Sequence, residues 1–406
     1  PQSLGVESMK VGIVALHWPP DFGGAERYNS NVVEALNNNG VEAWGITPRR
    51  SVEGMDNGTE YVHRLGEGLE TNLEDSRGMK KFLNEAKLHI GQNGYSHILI
   101  SNCRKIGYQY QAFISDLQEI GIKVGTLHFD LDKIIRLHLE QMMKDEGDWD
   151  VVAKKMEKYI KGCFEYNSPL LQDETLGYWA IDSPLYFQPD FVVSCSEWSN
   201  RFIDYKQRTP SFVLHPGLTK RPLNKEKLEK VDITMINPMY HKGRSYMADI
   251  VNDYSNKWTY RILLGGYGGQ KEDFLNMIAD SWAVRDGRVD IVDYVERMED
   301  VWDATKLFIF PSRFEGYGMS AVEPMMHGVP VMVQDYPSIR EAVGDAAIIM
   351  PYGEDSKEWI ETIEELFFDD EEYAQFKEKG YKRVSQLLDR EHEEMSQFIE
   401  FMEKLV

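Results

Sequence analysis

Two glutamates set eight positions apart across a glycine turn form the densest chemistry-bearing pattern in the chain: Glu315 and Glu323, in Pro311-Ser312-Arg313-Phe314-Glu315-Gly316-Tyr317-Gly318-Met319-Ser320-Ala321-Val322-Glu323. An apolar run, Leu307 to Phe310, precedes them and Gly328-Val329-Pro330-Val331 follows. This context places Glu315 at the carboxyl end of a strand and Glu323 in the first turn of the next helix. Carboxylates accept hydrogen bonds from paired hydroxyls, and backbone N–H groups at a helix start attract phosphate. Gly316 and Gly318 let a ligand come close to the main chain. The expectation is a sugar nucleotide: Glu315 on a sugar, Glu323 on a ribose, and the backbone from Gly316 through Tyr317, Gly318, Met319 and Ser320 on the phosphates. Each part has a plainer reading. Ser320-Ala321-Val322-Glu323 is also a capping box, and Glu315 alone is also a solvated loop charge. Their joint occurrence between a buried strand and a Gly-Val-Pro-Val run favours the ligand.

The elements that must position these residues follow an alternating pattern. Lys10 to Leu16 is short, apolar and β-branched, as a strand covered on both faces should be. A breaker-rich stretch, His17 to Gly24, leads to a helical pattern from Ala25 to about Asn38, the entry of a mononucleotide-binding unit. Further strands are expected at Val41 to Ile46, His97 to Ser101, Val124 to His128 and Phe191 to Ser194. Between the last two lies an insertion with helical stretches near Lys133 to Lys144 and Val151 to Phe164, then aromatic Tyr178, Trp179, Tyr186 and Phe187. A second series runs through Ile233 to Ile236, Tyr260 to Leu264, Val289 to Val292, Leu307 to Phe310 and Val329 to Val333. The breakers His215-Pro216-Gly217 separate the two series. Strands alternating with helices predict parallel sheets and an α/β class.

At 406 residues, two domains of ordinary size are expected. A formal charge of −22 disfavours tracking along nucleic acid and leaves at most a peripheral role at anionic membranes. Much of it sits late: residues 354 to 406 hold 17 acidic and 7 basic side chains, which reads as a solvated helical tail. Three scattered cysteines, Cys103, Cys163 and Cys195, fit neither a disulfide framework nor a zinc site, so a reducing, cytoplasmic compartment is expected. No apolar run is long enough to span a membrane. Pro1 to Ser8 read as a cloning remnant before Met9.

From about Val289 to Met350 the chain resembles the donor half of the retaining glycosyltransferases of family 4, the glycogen-synthase-like superfamily, whose hallmark Glu-x7-Glu pair is matched by Glu315 and Glu323. The resemblance implies the GT-B fold, α/β with two Rossmann-like domains facing across a donor/acceptor cleft. Further matches run in order over most of Met9 to Pro351. Gly23-Gly24-Ala25-Glu26-Arg27 resembles the loop that closes over the donor phosphates, and Lys242-Gly243 the phosphate-binding lysine and its glycine. His128 resembles the histidine that faces the donor sugar, although a histidine at a strand end is also a common structural residue. Phe191 to Ser196 with Glu197 resembles the strand and serine that end the first domain, and Leu214 to Gly217 resembles the linker. One position departs: the family often has arginine where this chain has Asn237, leaving Arg244 or Arg313 as substitutes.

The resemblance thus implies an N-terminal acceptor domain over 9–217 with an insertion at about 131–190, a nucleotide-sugar donor domain over 218–386, and a helix over 387–406 that crosses back. It implies a hexosyltransferase using a UDP- or GDP-sugar on a saccharide or glycoconjugate, without metal or other cofactor. Catalysis is assigned to His128, Lys242 and Glu315, and donor binding to Gly24, Lys242, Glu315, Gly316, Tyr317, Gly318, Met319, Ser320 and Glu323. The aromatic insertion is the candidate acceptor wall, or simply core. Asp130-Leu131-Asp132 formally matches a metal-binding triplet of other glycosyltransferases, but such triplets arise by chance in so acidic a chain. A nicotinamide dehydrogenase is disfavoured because neither glycine-rich loop keeps Gly-x-Gly-x-x-Gly. An idle sugar-nucleotide-binding protein and a sugar-nucleotide epimerase of the same fold remain as alternatives, and nothing in the sequence speaks to oligomeric state.

Overall fold

The computed structural model describes residues 9–18, 24–48, 61–65, 76–101, 107–129, 133–165, 189–203, 209–218, 228–253, 255, 257–265, 269–293, 295, 298–353 and 355–405. The chain divides into two compact units. One comprises Pro1–Gly217 together with Glu391–Val406, the other Leu218–Arg390.

The first unit is built on a parallel sheet of β1 (Lys10–Val14), β2 (Glu42–Pro48), β3 (Val62–Leu65), β4 (His97–Ser101), β5 (Lys123–His128), β6 (Phe191–Ser194) and β7 (Ser211–Val213). Their order across the sheet is β3-β2-β1-β4-β5-β6-β7. The inner strands β4 and β6 are buried along their length and β1 all but its first residue, which is why their sequences are mainly apolar and why the patterning of the first series locates them. The edge strands β3 (Val-His-Arg-Leu) and β7 (Ser-Phe-Val) are only half-buried and have no such run, so sequence patterning misses them. The helix Gly24–Asn38 begins one residue before the expected Ala25 and buries Tyr28, Asn29, Val32, Val33 and Leu36. The helices Lys133–Glu146 and Trp149–Glu165 fall where the helical stretches of the insertion are expected.

The second unit repeats the plan with β8 (Val231–Ile236), β9 (Tyr260–Leu263), β10 (Val289–Val292), β11 (Thr305–Phe310), β12 (Val331–Gln334) and β13 (Ile348–Met350), ordered β10-β9-β8-β11-β12-β13 and parallel throughout. The order reverses between β8 and β11, and in such sheets the carboxyl ends of the strands flanking the reversal form a crevice. Ile233, Ile262, Leu307, Ile309 and Met332 fill the centre, with helix residues Met247, Ile250, Phe274, Trp359 and Ile363 closing it.

The acidic tail is more than a solvated face. Asp370–Glu403 is one continuous helix, so residue 387 falls inside it. Its first part stays in the second unit, where Tyr373 Oη donates to the Lys306 carbonyl. Its last turns, in the first unit, pack Phe398 and Phe401 against Phe212, with Phe401 also against Phe191. Frequent charges and a sparse apolar stripe coexist along this helix because a helix shows a partner only every third or fourth residue. Among the described residues, no helix is long and apolar enough to cross a membrane.

Candidate functional site

The site is assembled by the two strands that flank the reversal of the second sheet. Beyond β8 the chain passes through Asn237, a non-glycine residue with φ +53°, and then a single 3₁₀ turn, Tyr240–Lys242. Gly243 follows at φ +76° and opens the helix Arg244–Asn252. Met239 organises the turn, its carbonyl accepting from Lys242 N and Arg244 N, both at 3.1 Å. Beyond β11 runs the loop Pro311 to Gly318. The two loops are laced together: Arg313 N donates to the His241 carbonyl at 3.0 Å, and a Cβ at Gly243 would lie 2.2 Å from the Pro311 carbonyl oxygen. Only glycine satisfies both that approach and the left-handed backbone.

This lacing brings Lys242 to Glu315. Lys242 Nζ donates to Glu315 Oε1 at 2.5 Å, and Ser312 Oγ donates to the same oxygen at 2.5 Å. The side chains retain 24% and 13% of their exposure, so the pair is largely withdrawn from water but not sealed from it. The Glu315 backbone is held separately, its carbonyl accepting from Ser338 Oγ at 2.7 Å. Sequence reasoning missed both serines. Ser312 lies in the recognised loop, but Ser338 follows β12, and only the sheet order brings it in.

The glycine turn then closes. Gly318 takes φ +103° and caps the short helix Met319–Val322 without a side-chain bond. The capping-box expectation for Ser320 and Glu323 is therefore not met. The cap lies two residues earlier, and Glu323 instead ends this helical turn and starts the 3₁₀ turn Glu323–His327, with Pro324 next. Gly318 wins because left-handed backbone there costs it nothing and turns the chain sharply. Glu323, Ser320 and Met319 are half-buried; Gly316 and Gly318 are buried. The Tyr317 side chain is committed elsewhere: its hydroxyl accepts from Arg390 Nη2, and burial pushes its pKa up, against the pull of Arg390 and Arg383. The donor-binding expectation for Tyr317 is thereby confined to its backbone.

The substitute cations have partners of their own. Arg244 is ion-paired with Asp273 at 2.6 Å, and the Arg313 guanidinium lies 4.9 Å from the centre of the Tyr240 ring, with a 3.1 Å bond to its hydroxyl. Asn237 packs its Oδ1 against Gly265, where a Cβ would collide with it, and among the described residues that buried oxygen has no hydrogen-bond partner.

Two expected site residues belong to the first unit. His128 ends β5 with Nε2 3.0 Å from Thr126 Oγ1. Gly24 is exposed, and among the described residues nothing lies within 4 Å of where its Cβ would stand. In the same unit Ser196 caps the helix Glu197–Ile203 through Ser199 N, and His215 Nδ1 pairs with Glu394 at 2.7 Å. Asp130-Leu131-Asp132, Gly23 and the aromatic residues Tyr178, Trp179, Tyr186 and Phe187 lie outside the described residues.

Residues 231–369 match the family model described as "Glycosyl transferases group 1", a span that contains Lys242, Ser312, Glu315, Glu323 and Ser338. Over 92 residues, 22% of the chain, it is 34% identical to O-antigen chain mannosyltransferase B of Escherichia coli; the match spans 24% of that relative's length. Sucrose-phosphate synthase from Thermosynechococcus elongatus superimposes with a TM-score of 0.70 at 16% identity, covering 98% of this chain and 100% of the other. Anabaena Alr3699/HepE, solved in complex with UDP-glucose, superimposes with a TM-score of 0.65 at 14% identity, covering 97% and 99%. The fold is GT-B, and the stretch that matches the family model lies within its second unit.

Proposed function

We propose that the protein is a retaining glycosyltransferase that moves a hexose from a UDP- or GDP-linked donor to a hydroxyl of a saccharide or glycoconjugate. The observation that carries this reading is the convergence of Lys242 Nζ and Ser312 Oγ on one Glu315 oxygen, at the carboxyl ends of β8 and β11. A cation and a carboxylate held as each other's partner can be divided by a ligand that offers both groups something better. The donor's diphosphate takes the Lys242 ammonium, and the sugar hydroxyls take the Glu315 carboxylate. Glu323 is assigned the ribose, and the backbone from Gly316 to Ser320 the phosphates. Gly24 and His128, from the first unit, are assigned to the phosphates and the donor sugar.

The chemistry follows from charge. As the anomeric carbon–oxygen bond breaks, negative charge grows on the departing diphosphate, and Lys242 stabilises that charge more than it does the ground state. The departing phosphate oxygen takes the proton of the acceptor hydroxyl, whose oxygen bonds the anomeric carbon on the face just vacated. Configuration is kept and no side-chain nucleophile is needed. Neither is a metal, because Lys242 and the backbone donors supply the positive field. The name of the Escherichia coli relative supports a mannose donor, whereas the Anabaena complex supports UDP-glucose. The segment Leu131 to Asp190 is proposed as the acceptor wall.

Thermal unfolding with UDP-glucose and with GDP-mannose tests the reading, since a ligand at about 100 times its Kd adds about 2.7 kcal/mol of stability. One of the two raises Tm saturably, Glu315→Gln abolishes the rise, and nucleoside diphosphate appears when a saccharide acceptor is added. Product NMR reads the anomeric configuration and separates transfer from epimerisation. No shift with either sugar nucleotide ends the proposal; a shift without diphosphate release leaves an idle binding protein.

A further inference from the structure

Gln334 is the last residue of β12 and is fully buried. It follows Val331, Met332 and Val333, all equally buried, in a strand where an apolar residue would be the inexpensive choice. A buried amide is tolerated when its hydrogen-bonding groups are matched. The neighbours of this one fix its orientation: Oε1 accepts from Tyr246 Oη at 3.2 Å and from Gly353 N at 2.7 Å, and Nε2 donates to the Pro311 carbonyl at 3.2 Å.

These three partners are not scattered. Pro311 begins the loop that carries Ser312 and Glu315. Tyr246 lies in the first turn of the helix that follows Lys242 and Gly243. Gly353 lies just beyond β13 at φ +77°. The Pro311 carbonyl oxygen is also the atom against which Gly243 packs, 2.2 Å from where a Cβ would stand. One buried side chain therefore grips the contact point between the cation-bearing loop and the carboxylate-bearing loop.

We infer that Gln334 is a positioning residue for the Lys242–Glu315 pair, setting the spacing of the two loops by donating to the Pro311 carbonyl. The inference rests on the reading of that pair as a donor site. Gln334 touches no substrate and acts through Pro311. Losing the donated bond leaves a buried carbonyl without that partner and frees the loop, and a misplacement of about 1 Å at a reacting centre costs about 10²-fold in rate.

Two near-isosteric variants test it. Gln334→Met removes all three bonds. Gln334→Glu keeps both acceptor functions, but when ionised it presents a negative oxygen to Pro311, and when protonated it donates again. Amide hydrogen exchange at Arg313, whose N–H bridges to the His241 carbonyl, reports the lacing without any ligand. UDP-glucose and GDP-mannose are the binding probes. Gln334→Met is expected to exchange at Arg313 about tenfold faster, with the rest of the second unit unchanged, and to bind its probe about 10²-fold more weakly. Gln334→Glu is expected to do the same at pH 8 and to return toward wild type at pH 5.5, relative to wild type at each pH. A merely structural amide would lower Tm without that recovery. Wild-type exchange at Arg313 in both variants at pH 8 overturns the inference. Failure of wild-type protein to bind either probe ends the donor-site reading instead, and the exchange measurement still decides the role of Gln334.

Discussion

Lys242 Nζ stands 2.5 Å from Glu315 Oε1 across 73 positions of sequence, in loops that leave adjacent strands of one sheet. Removing one member of a mostly buried pair leaves the other uncompensated. Lys242→Ala and Glu315→Gln are each expected to lower kcat/KM for the nucleotide sugar by about 10²-fold or more. The double variant should lose clearly less than the product of the two, since each single change already breaks the same interaction. Nucleoside diphosphate release measures all three, and independent, multiplicative losses would show that the pair does not act as a unit.

Two glycines make opposite predictions. Gly243→Ala meets the Pro311 carbonyl and a left-handed backbone, so it should destabilise the second unit by at least about 1 kcal/mol in urea unfolding. Among the described residues, Gly24→Ala meets nothing within 4 Å. Its stability should stay within about 0.5 kcal/mol of wild type, while donor turnover falls if phosphates approach its backbone. A Gly24→Ala enzyme with unchanged turnover would remove that loop from the donor site.

Ser312→Ala deletes one of the two donors on Glu315 Oε1. Hydrogen bonds to charged groups are worth about 1.5 to 3 kcal/mol, so kcat/KM should fall by roughly 10- to 100-fold, with Tm little changed. Ser338→Ala frees only the Glu315 carbonyl and should cost less. Steady-state kinetics of the two variants side by side checks the order.

Acid should weaken the first unit. Burial holds the imidazoles of His97, His63 and His89 below their ordinary value of 6.5; His97 Nε2 also faces the Met402 carbonyl at 3.0 Å. A lowered pKa means the unfolded chain takes up protons first. The stabilisation is present above pH 6.5 and is lost as pH falls below it toward the folded values. Tyr28 and Tyr373 act at the other extreme: burial raises both, Tyr373 to about 12, so stability is full below pH 10 and declines above it. Tm measured from pH 5 to 11 should show both flanks, and His97→Phe should flatten part of the acid one.

What the sequence settled by itself was local. The continuous apolar runs at Val11 to Val14 and Leu307 to Phe310 declare buried parallel strands, because a strand covered on both faces has no polar side to show. The turn from Gly316 to Gly318 and its two flanking glutamates were legible for the same reason, being contiguous residues whose types carry their chemistry. The half-exposed strands β3 and β7 were not, since no continuous apolar run marks them.

The tertiary structure decided everything that depends on strand order. Placing β8 beside β11 brings Lys242 to Glu315, and placing β12 on the other side brings Ser338 and Gln334 to the same loop. It also turned Tyr317 away toward Arg390 and moved the helix cap from Ser320 to Gly318. Sequence spacing cannot carry these facts, because a parallel sheet joins residues through its lateral hydrogen bonds, and those pairings are chosen only when the whole core packs.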